Sequence, residues 1–367
     1  MLLLAFFSFL VALVSVLWVR RQFKRHAAHY PADMPQRFHH GSVPRVGGVG
    51  VGLGWLVGLW LIPVLPWLGR NVGVPLNWAE ALGYTAVAGI VLGVGVYEDV
   101  SQRVPVRWRL AFSLLAGVLA VALLGAQVPR LGIPGVDAAL AHWPLVGMAL
   151  AVLAIAGLPH AFNLIDGYNG LAGAVTVLIA LALAHVSIQV GDRQLAALSL
   201  CLAAATLGFL VWNYPGGLVF AGDGGAYLWG AVVAVISILL VQRHPEVSPW
   251  FALLLLLYPV WETVFSSYRR WARGRSAGAA DALHLHQLVY RRLVRAMLEP
   301  DEAAALLARN NRTAPYLVSL ATFSIVPAVL FWQSTWVLMA FCLLFVVGYV
   351  GLYLMIVRFK TPAWLRR

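Results

Sequence analysis

The chain has 367 residues, of which 61% are hydrophobic and 11% charged, with a mean hydropathy of +0.82 and a formal net charge of +12. No soluble domain of this length carries so few charges, so the composition predicts an all-α polytopic membrane protein. Cys201 and Cys342 both lie in apolar runs, which excludes a disulfide framework and a cysteine metal site.

In chain order, the first apolar stretch covers 2–19 and is followed by Arg20, Arg21, Lys24 and Arg25. The charge follows the stretch instead of preceding it and no small-residue cleavage site is present, so this reads as a retained anchor. Further stretches of spanning length follow at 46–67, 82–97, 110–127, 144–160, 170–189, 194–212, 225–242, 249–267, 315–332 and 335–357, about eleven transmembrane helices in all. Threaded alternately, they place twenty-two Lys and Arg residues on one side and four (Arg70, Arg130, Arg193 and Arg243) on the other. The positive-inside rule makes the rich side cytoplasmic, with the N-terminus outside and the C-terminus inside. The positive charge is then explained by topology and by anionic membrane lipid, and no nucleic acid is needed as a partner. The expected organisation is one integral-membrane domain over 1–367 with a cytoplasmic arginine- and histidine-rich segment at 268–314. Within that segment LHLHQLVYRRLVRAML could lie as an amphipathic interfacial helix, and 299–312 reads as a short surface helix capped near Asp301.

Polar chemistry is confined to the inner loops: HHGSVPRVGG (39–48), VYEDVSQRVPVRWR (96–109), NLIDGYNG (163–170), AGDGGAY (221–227) and 268–314. Glu262 is the one charged residue deep in a span, which argues against an ion-coupled transporter. In NLIDGYNG the spacing of Asn163, Asp166 and Asn169 puts them on one face if helical, while Gly167 and Gly170 would end the helix and admit a ligand close to backbone. Asp223, flanked by Gly222, Gly224 and Gly225 ahead of an apolar helix, combines a cation-binding carboxylate with anion-binding amides. Phosphate with magnesium is the natural joint ligand. Taken alone, Asp223 is an ordinary N-cap and Glu98-Asp99 an ordinary water-boundary pair; the conjunction of all three strings carries the argument. His39, His40, His284 and His286 lack cysteines and an i, i+4 pair, so zinc is not expected.

These strings (VPRVGG, GVYEDV, NLIDGYNGLAG, NYP followed by FAGDGGAYLWG, and DALHLHQL) resemble, in order and spacing, the polyprenyl-phosphate N-acetylhexosamine-1-phosphate transferase superfamily, glycosyltransferase family 4. The resemblance covers His39 to Leu288. It implies transfer of a sugar 1-phosphate from a UDP-N-acetylhexosamine to undecaprenyl phosphate, with Mg2+ (Mn2+ as the alternative metal), at the cytoplasmic face of a bacterial inner membrane, by a protein whose assembly as a homodimer is left open. It implies that Asp223 binds metal, with Asn163 as a second ligand, and that Asp166 and Asn169, with Gly170 beside them, contact the nucleotide. Glu98 and Asp99 fall on the family's acidic catalytic pair. His284, His286 and Gln287 fall on its histidine motif near diphosphate and sugar, where Arg269 and Arg270 are expected to join them; Arg45 and Arg107 are expected at the lipid phosphate. Two positions depart from the pattern: Glu98 replaces an Asp, and Gln287 replaces a His. The role implied is initiation of a lipid-linked surface glycan of O-antigen or capsule type. The alternatives are the peptidoglycan-branch transferase that uses a muramoyl-pentapeptide donor, a CDP-alcohol phosphotransferase, whose dense Asp-Gly array is missing, and a transporter or scramblase.

Overall fold

The computed structural model describes residues 1–27, 43–272, 274, 284–294 and 303–358, and among them every regular element is helical. Ten helices are long and apolar enough to cross a membrane: α1 (Leu2–Ala27), α2 (Gly47–Trp67), α3 (Trp78–Ser101), α4 (Val106–Leu124), α6 (Pro144–Ile165), α7 (Leu171–Gln189), α8 (Arg193–Asn213), α9 (Gly222–Arg243), α13 (Ala303–Leu330) and α14 (Thr335–Val357). The pair α10 (Pro249–Leu255) and α11 (Leu257–Trp271), bent by 68° at Leu256, makes an eleventh span if counted as one. The chain is a multi-pass helical membrane protein. A short helix, α5 (Pro134–His142), was not anticipated.

The break in the ninth expected span has a local cause. Pro259 offers no N–H and crowds the carbonyl four residues back, so a helix cannot run unbroken through Leu255 and instead restarts with proline in its first turn. The expectation of a separate surface helix at 299–312 is overturned: α13 runs continuously through Pro315, which costs one internal hydrogen bond without ending the helix. At 28 residues, α13 is about 42 Å long, so it projects well past a hydrocarbon core of about 30 Å. The expected cap at Asp301, and His39 and His40, lie outside the described residues.

Helix α9 is the centre of the bundle, with 94% of its apolar window buried, and α2, α3, α6, α7 and α8 pack around it. Lipid tails are as apolar as leucine, so tight packing here depends on small residues that let backbones meet. Gly48 of α2 touches Gly225, and a Cβ on it would sit 2.1 Å from the Gly225 nitrogen. Gly95 of α3 meets Gly224 in the same way, at 2.5 Å. These contacts draw the ends of α2 and α3 onto the first turn of α9, and the polar residues gather there.

Candidate active site

The residues before α2 run beside those before α9. Phe220 N–H donates to Pro44 O, and Gly47 and Gly48 N–H donate to Phe220 O and Ala221 O, each at 2.9 Å. Gly222 then adopts φ +71°, where a Cβ would lie 1.9 Å from the Arg45 carbonyl and 2.5 Å from both Asp99 oxygens. Only glycine fits. The space so kept is filled by the Asp99 carboxylate, which accepts from Asp223 N–H (2.8 Å) and Gly224 N–H (2.9 Å). An anion thus caps the positive end of α9 from a neighbouring helix. Asp99 is 5% exposed, so this carboxylate positions Asp223's helix while facing little water.

Asp223 itself is half-buried. Its Oδ1 accepts from Asn163 Nδ2 at 2.7 Å and its Oδ2 from Arg109 Nη1 at 3.0 Å. The same guanidinium nitrogen is 3.9 Å from Glu98 Oε1, while Glu98 Oε2 accepts from Val104 N–H at 2.7 Å and closes the loop after α3. Four expected site residues from three elements, Glu98, Asp99, Asn163 and Asp223, therefore converge on one point.

Arg109 is the participant that the sequence reading overlooked. Arg107, chosen for the lipid phosphate, is exposed on the first turn of α4; two residues on, Arg109 lies on the face turned to the cluster. Behind it Ser113 Oγ donates to the Arg109 carbonyl and lies 3.3 Å from His160 Nε2, and His160 meets the Tyr227 ring edge-on at 5.2 Å. His160 precedes Asn163 by three residues and Tyr227 follows Asp223 by four, so helical spacing alone marked this supporting layer.

The expected shared face of Asn163, Asp166 and Asn169 does not form. Helix α6 ends at Ile165, and 166–170 is a turn closed by Gly170 at φ +78°. Asn163 meets Asp223, whereas Asn169 is 2% exposed and faces α13: its N–H donates to Asn310 Oδ1 (2.8 Å) and its Nδ2 to Asn311 Oδ1 (3.0 Å). Gly170 is buried, with its N–H donating to Asn213 Oδ1 at 2.6 Å. Both residues shape the turn. Asp166, at its start, is half-buried; burial and then the nearby Asp223 carboxylate push its pKa from the ordinary 3.8 up to about 7, with Arg45 partly opposing. Arg45 is thereby placed within electrostatic reach of the cluster.

The histidine segment docks into this turn instead of lying on the membrane surface. Residues 284–290 are buried, through α12 (Leu285–Leu288) and the start of a π-helical turn at Val289–Val294. His286 meets Tyr168 at 5.6 Å and lies against Gly167, and Tyr168 stacks on Tyr290 at 5.5 Å. Gln287 is 3% exposed, and its Oε1 accepts from His284 N–H at 3.4 Å. At the position where the resembled family has a third histidine, this glutamine stabilises the turn. Arg269 is likewise buried, donating to Tyr353 OH at 2.8 Å and lying over the Phe265 and Tyr353 rings. Arg270 is half-buried, with Ser267 Oγ at 3.5 Å from its Nη2.

Four carboxyl groups (Glu98, Asp99, Asp166 and Asp223) thus lie near two guanidiniums, Arg45 and Arg109. The hard oxygens of Asp223, Asp166 and Asn163 fit a divalent cation that keeps most of its coordination for water or phosphate. Among the described residues no three His, Cys, Asp or Glu are grouped so as to hold a metal ion by themselves, so the Asn163 amide completes the candidate donor set.

A polytopic bundle that gathers carboxylates, an amide and guanidiniums around one helix N-terminus has the make-up of a membrane-embedded enzyme acting on phosphates. Residues 81–241 match the model of glycosyl transferase family 4. The chain is 27% identical over 286 residues to the "Probable undecaprenyl-phosphate N-acetylglucosaminyl 1-phosphate transferase" of Bacillus subtilis, covering 76% of this chain and 75% of that one. It is 29% identical over 311 residues to the decaprenyl-phosphate N-acetylglucosaminephosphotransferase of Mycobacterium leprae (76% and 72%). A third relative is the undecaprenyl-phosphate alpha-N-acetylglucosaminyl 1-phosphate transferase of Escherichia coli K12, 28% identical over 293 residues (76% and 74%). The chain is thus similar to glycosyl transferase family 4 over residues 81–241, and to polyprenyl-phosphate N-acetylglucosamine 1-phosphate transferases over about three quarters of its length.

Proposed function

We propose that the protein transfers N-acetylhexosamine 1-phosphate from a UDP-sugar to undecaprenyl phosphate, releasing UMP and beginning a lipid-linked surface glycan. The carrying observation is the meeting of Asn163, Asp223, Arg109 and Glu98 over the α9 N-terminus. The names of the relatives support a polyprenyl phosphate acceptor and favour N-acetylglucosamine as the sugar over a muramoyl-pentapeptide. The charge asymmetry of the loops supports a cytoplasmic mouth in a bacterial inner membrane, with exposed Arg103 and Arg107 beside it for anionic lipid.

An oxygen of the lipid phosphate attacks the sugar-bearing phosphorus; the bond from that phosphorus to the bridging oxygen breaks, and its electron pair leaves with UMP. A phosphate monoester has a second pKa of about 6, so the nucleophile is already largely dianionic and needs little help from a base. The greater demand is on positive charge placed for the two anions. Arg109 and Arg45 supply it, with forks that match phosphate oxygens; Arg109 exchanges Asp223 for phosphate as the donor enters. Asp223 with Asn163, and Asp166 beside them, would hold Mg2+, which when bound neutralises charge on the diphosphate. Asp166 and the backbone of its turn face the nucleotide, and His284 and His286 close the mouth over the diphosphate and sugar. An apolar cleft of about 430 Å³ between α6, α9 and α10–α11, lined by Leu158, Ala161, Ile238 and Val260 among others, starts two residues from Asn163 and takes the isoprenoid tail.

The test is incubation of purified protein with radiolabelled UDP-GlcNAc, UDP-GalNAc or a deoxy-aminosugar nucleotide and undecaprenyl phosphate. One donor should give labelled lipid and an equal amount of UMP. Folded protein that yields labelled lipid with none of them overturns the reading in favour of transport or scrambling.

A further inference from the structure

Glu262 is the one carboxylate deep within an expected span, and nothing in the proposed chemistry uses it. It is fully buried on α11, where an ionised group persists only if its oxygens are saturated with donors. Tyr349 OH donates to Oε2, and Leu285 N–H donates to Oε1 at 3.2 Å. Ser266, one turn along α11, presents its hydroxyl to Oε1 at 3.5 Å. His284 Nδ1 lies 3.0 Å from Ser266 Oγ and 3.4 Å from Glu262 Oε1. Two of these four groups, Leu285 N–H and the His284 ring, belong to the histidine segment, so the carboxylate ties that segment to the bundle at its first residues.

The chemistry of the donors adds direction. A carboxylate only accepts, so Glu262 Oε1 takes its hydrogen bond from the His284 ring directly or from the Ser266 hydroxyl, which itself lies against Nδ1. The His284 ring also accepts the Gln287 N–H at the start of α12, so Glu262, Ser266 and this amide together fix its orientation. His284 also stacks on His286, centroids 5.3 Å apart and planes 8° from parallel, and His286 rests on the Gly167 turn beside Asp166. Fixing the first ring therefore fixes the second against the mouth.

We propose that Glu262 is a positioning residue for the transfer reaction: with Ser266 it fixes the orientation of the His284 ring, and through it His286, toward the donor. The inference rests on the histidine segment facing the donor, as in the function proposed above.

The test is a double-mutant cycle of Glu262→Ala and His284→Ala, read as UMP release, together with 15N spectra of histidine-labelled protein in which the His284 signals are identified by their loss in His284→Ala. Glu262→Ala should lower kcat/KM by about 10–100-fold, the usual cost of removing a group that orients a functional histidine. The double variant should be no worse than His284→Ala alone within about twofold, because interacting sites are not additive. The His284 ring signals of the wild type should shift in Glu262→Ala, as the ring loses its fixed partners. Where Glu262→Ala does not fold, Glu262→Gln, which keeps the volume and removes the charge, should show the same spectral change with a smaller kinetic loss. Multiplicative losses in the cycle, or a His284 spectrum indifferent to residue 262, would overturn the proposal. The spectrum needs no turnover, so an absence of transferase activity with every donor overturns the functional reading, while the His284 spectrum still decides the positioning role.

Discussion

Arg109 and Asp223, 114 positions apart in the chain, are joined by a 3.0 Å contact from Nη1 to Oδ2. The guanidinium occupies one side of the carboxylate proposed to hold the cation, where it balances charge and is placed to turn to the donor phosphate. Replacing Arg109 with Ala should reduce kcat by about 10²–10³-fold, the scale for loss of one preorganised group at a developing charge. Arg109→Lys should recover only part of this, since an ammonium lacks the planar fork. Steady-state kinetics of UMP release would check both, and equal activity of wild type and Arg109→Ala would remove this residue from the site.

The two acidic positions closest to Arg109 should respond very differently. Asp223 receives both Asn163 and Arg109, whereas Glu98 holds Arg109 only at 3.9 Å and spends its other oxygen on the Val104 amide. Asp223→Ala should abolish labelled lipid, and Glu98→Asp should retain much of it. The opposite order in a membrane assay would reassign the metal-binding carboxylate.

Asp99 presents a case where structure and family resemblance pull apart. As a proton acceptor it would need an open face; instead its two oxygens accept the first amides of α9. Asp99→Ala should therefore lower stability by about 1–3 kcal/mol, the cost of stranding buried donors at a helix end, and lose activity along with it. Asp99→Asn, which still offers one acceptor, should lie between. Melting curves in detergent decide the matter: an unchanged Tm in both variants, with activity gone in both, would make Asp99 a base after all.

Much of this arrangement was legible in the sequence because membrane helices make polar residues conspicuous. Glu98, Asp99, Asn163, Asp166 and Asp223 stand out in apolar surroundings, and charge bias alone put them at one end of the bundle. Side-chain direction within those polar strings was harder to read. Arg107 and Arg109 differ by two positions, about 200° around a helix, and nothing local says which one faces inward. Asn169 and Gln287 look like ligand-binding groups because hydrogen-bonding capacity is all that a sequence displays; their partners, Asn310, Asn311 and the His284 amide, come from distant or newly turned backbone. Arg269 resembles a phosphate ligand until Tyr353 arrives from α14. The continuous α13 was hidden by Pro315, which reads as a breaker but is tolerated.

The glycines of the AGDGG string supply a separate check on the packing. Gly48→Ala would put a Cβ 2.1 Å from the Gly225 nitrogen, a backbone atom that cannot step aside, whereas Gly89 and Gly93 of α3 have nothing within 4 Å. Gly48→Ala should cost at least the 1–3 kcal/mol typical of overpacking and deplete folded protein. Gly89→Ala and Gly93→Ala should be neutral or raise stability by up to about 1 kcal/mol, through helix propensity. Fluorescence-detected size exclusion and melting curves on the three variants would show the contrast.

Asp166 makes the acid–base behaviour of the mouth measurable. Its pKa, raised from 3.8 to about 7 by burial and by Asp223, means that between these values the folded protein keeps a proton that the unfolded chain has lost. Stability must then fall as pH rises from about 4 to 7, and this contribution becomes flat above 7. Asp166→Asn should remove that slope and make the protein more stable than wild type at pH 8 in the absence of metal. A cation bound beside the carboxylate competes with the proton, so the gain in Tm on adding Mg2+ should be small at pH 6 and larger at pH 8 in wild type, with much less pH dependence in Asp166→Asn. Turnover that requires the ionised form should climb through the same window. A magnesium-induced shift in Tm of the same size at pH 6 and pH 8 would separate Asp166 from the metal and leave it to the nucleotide alone.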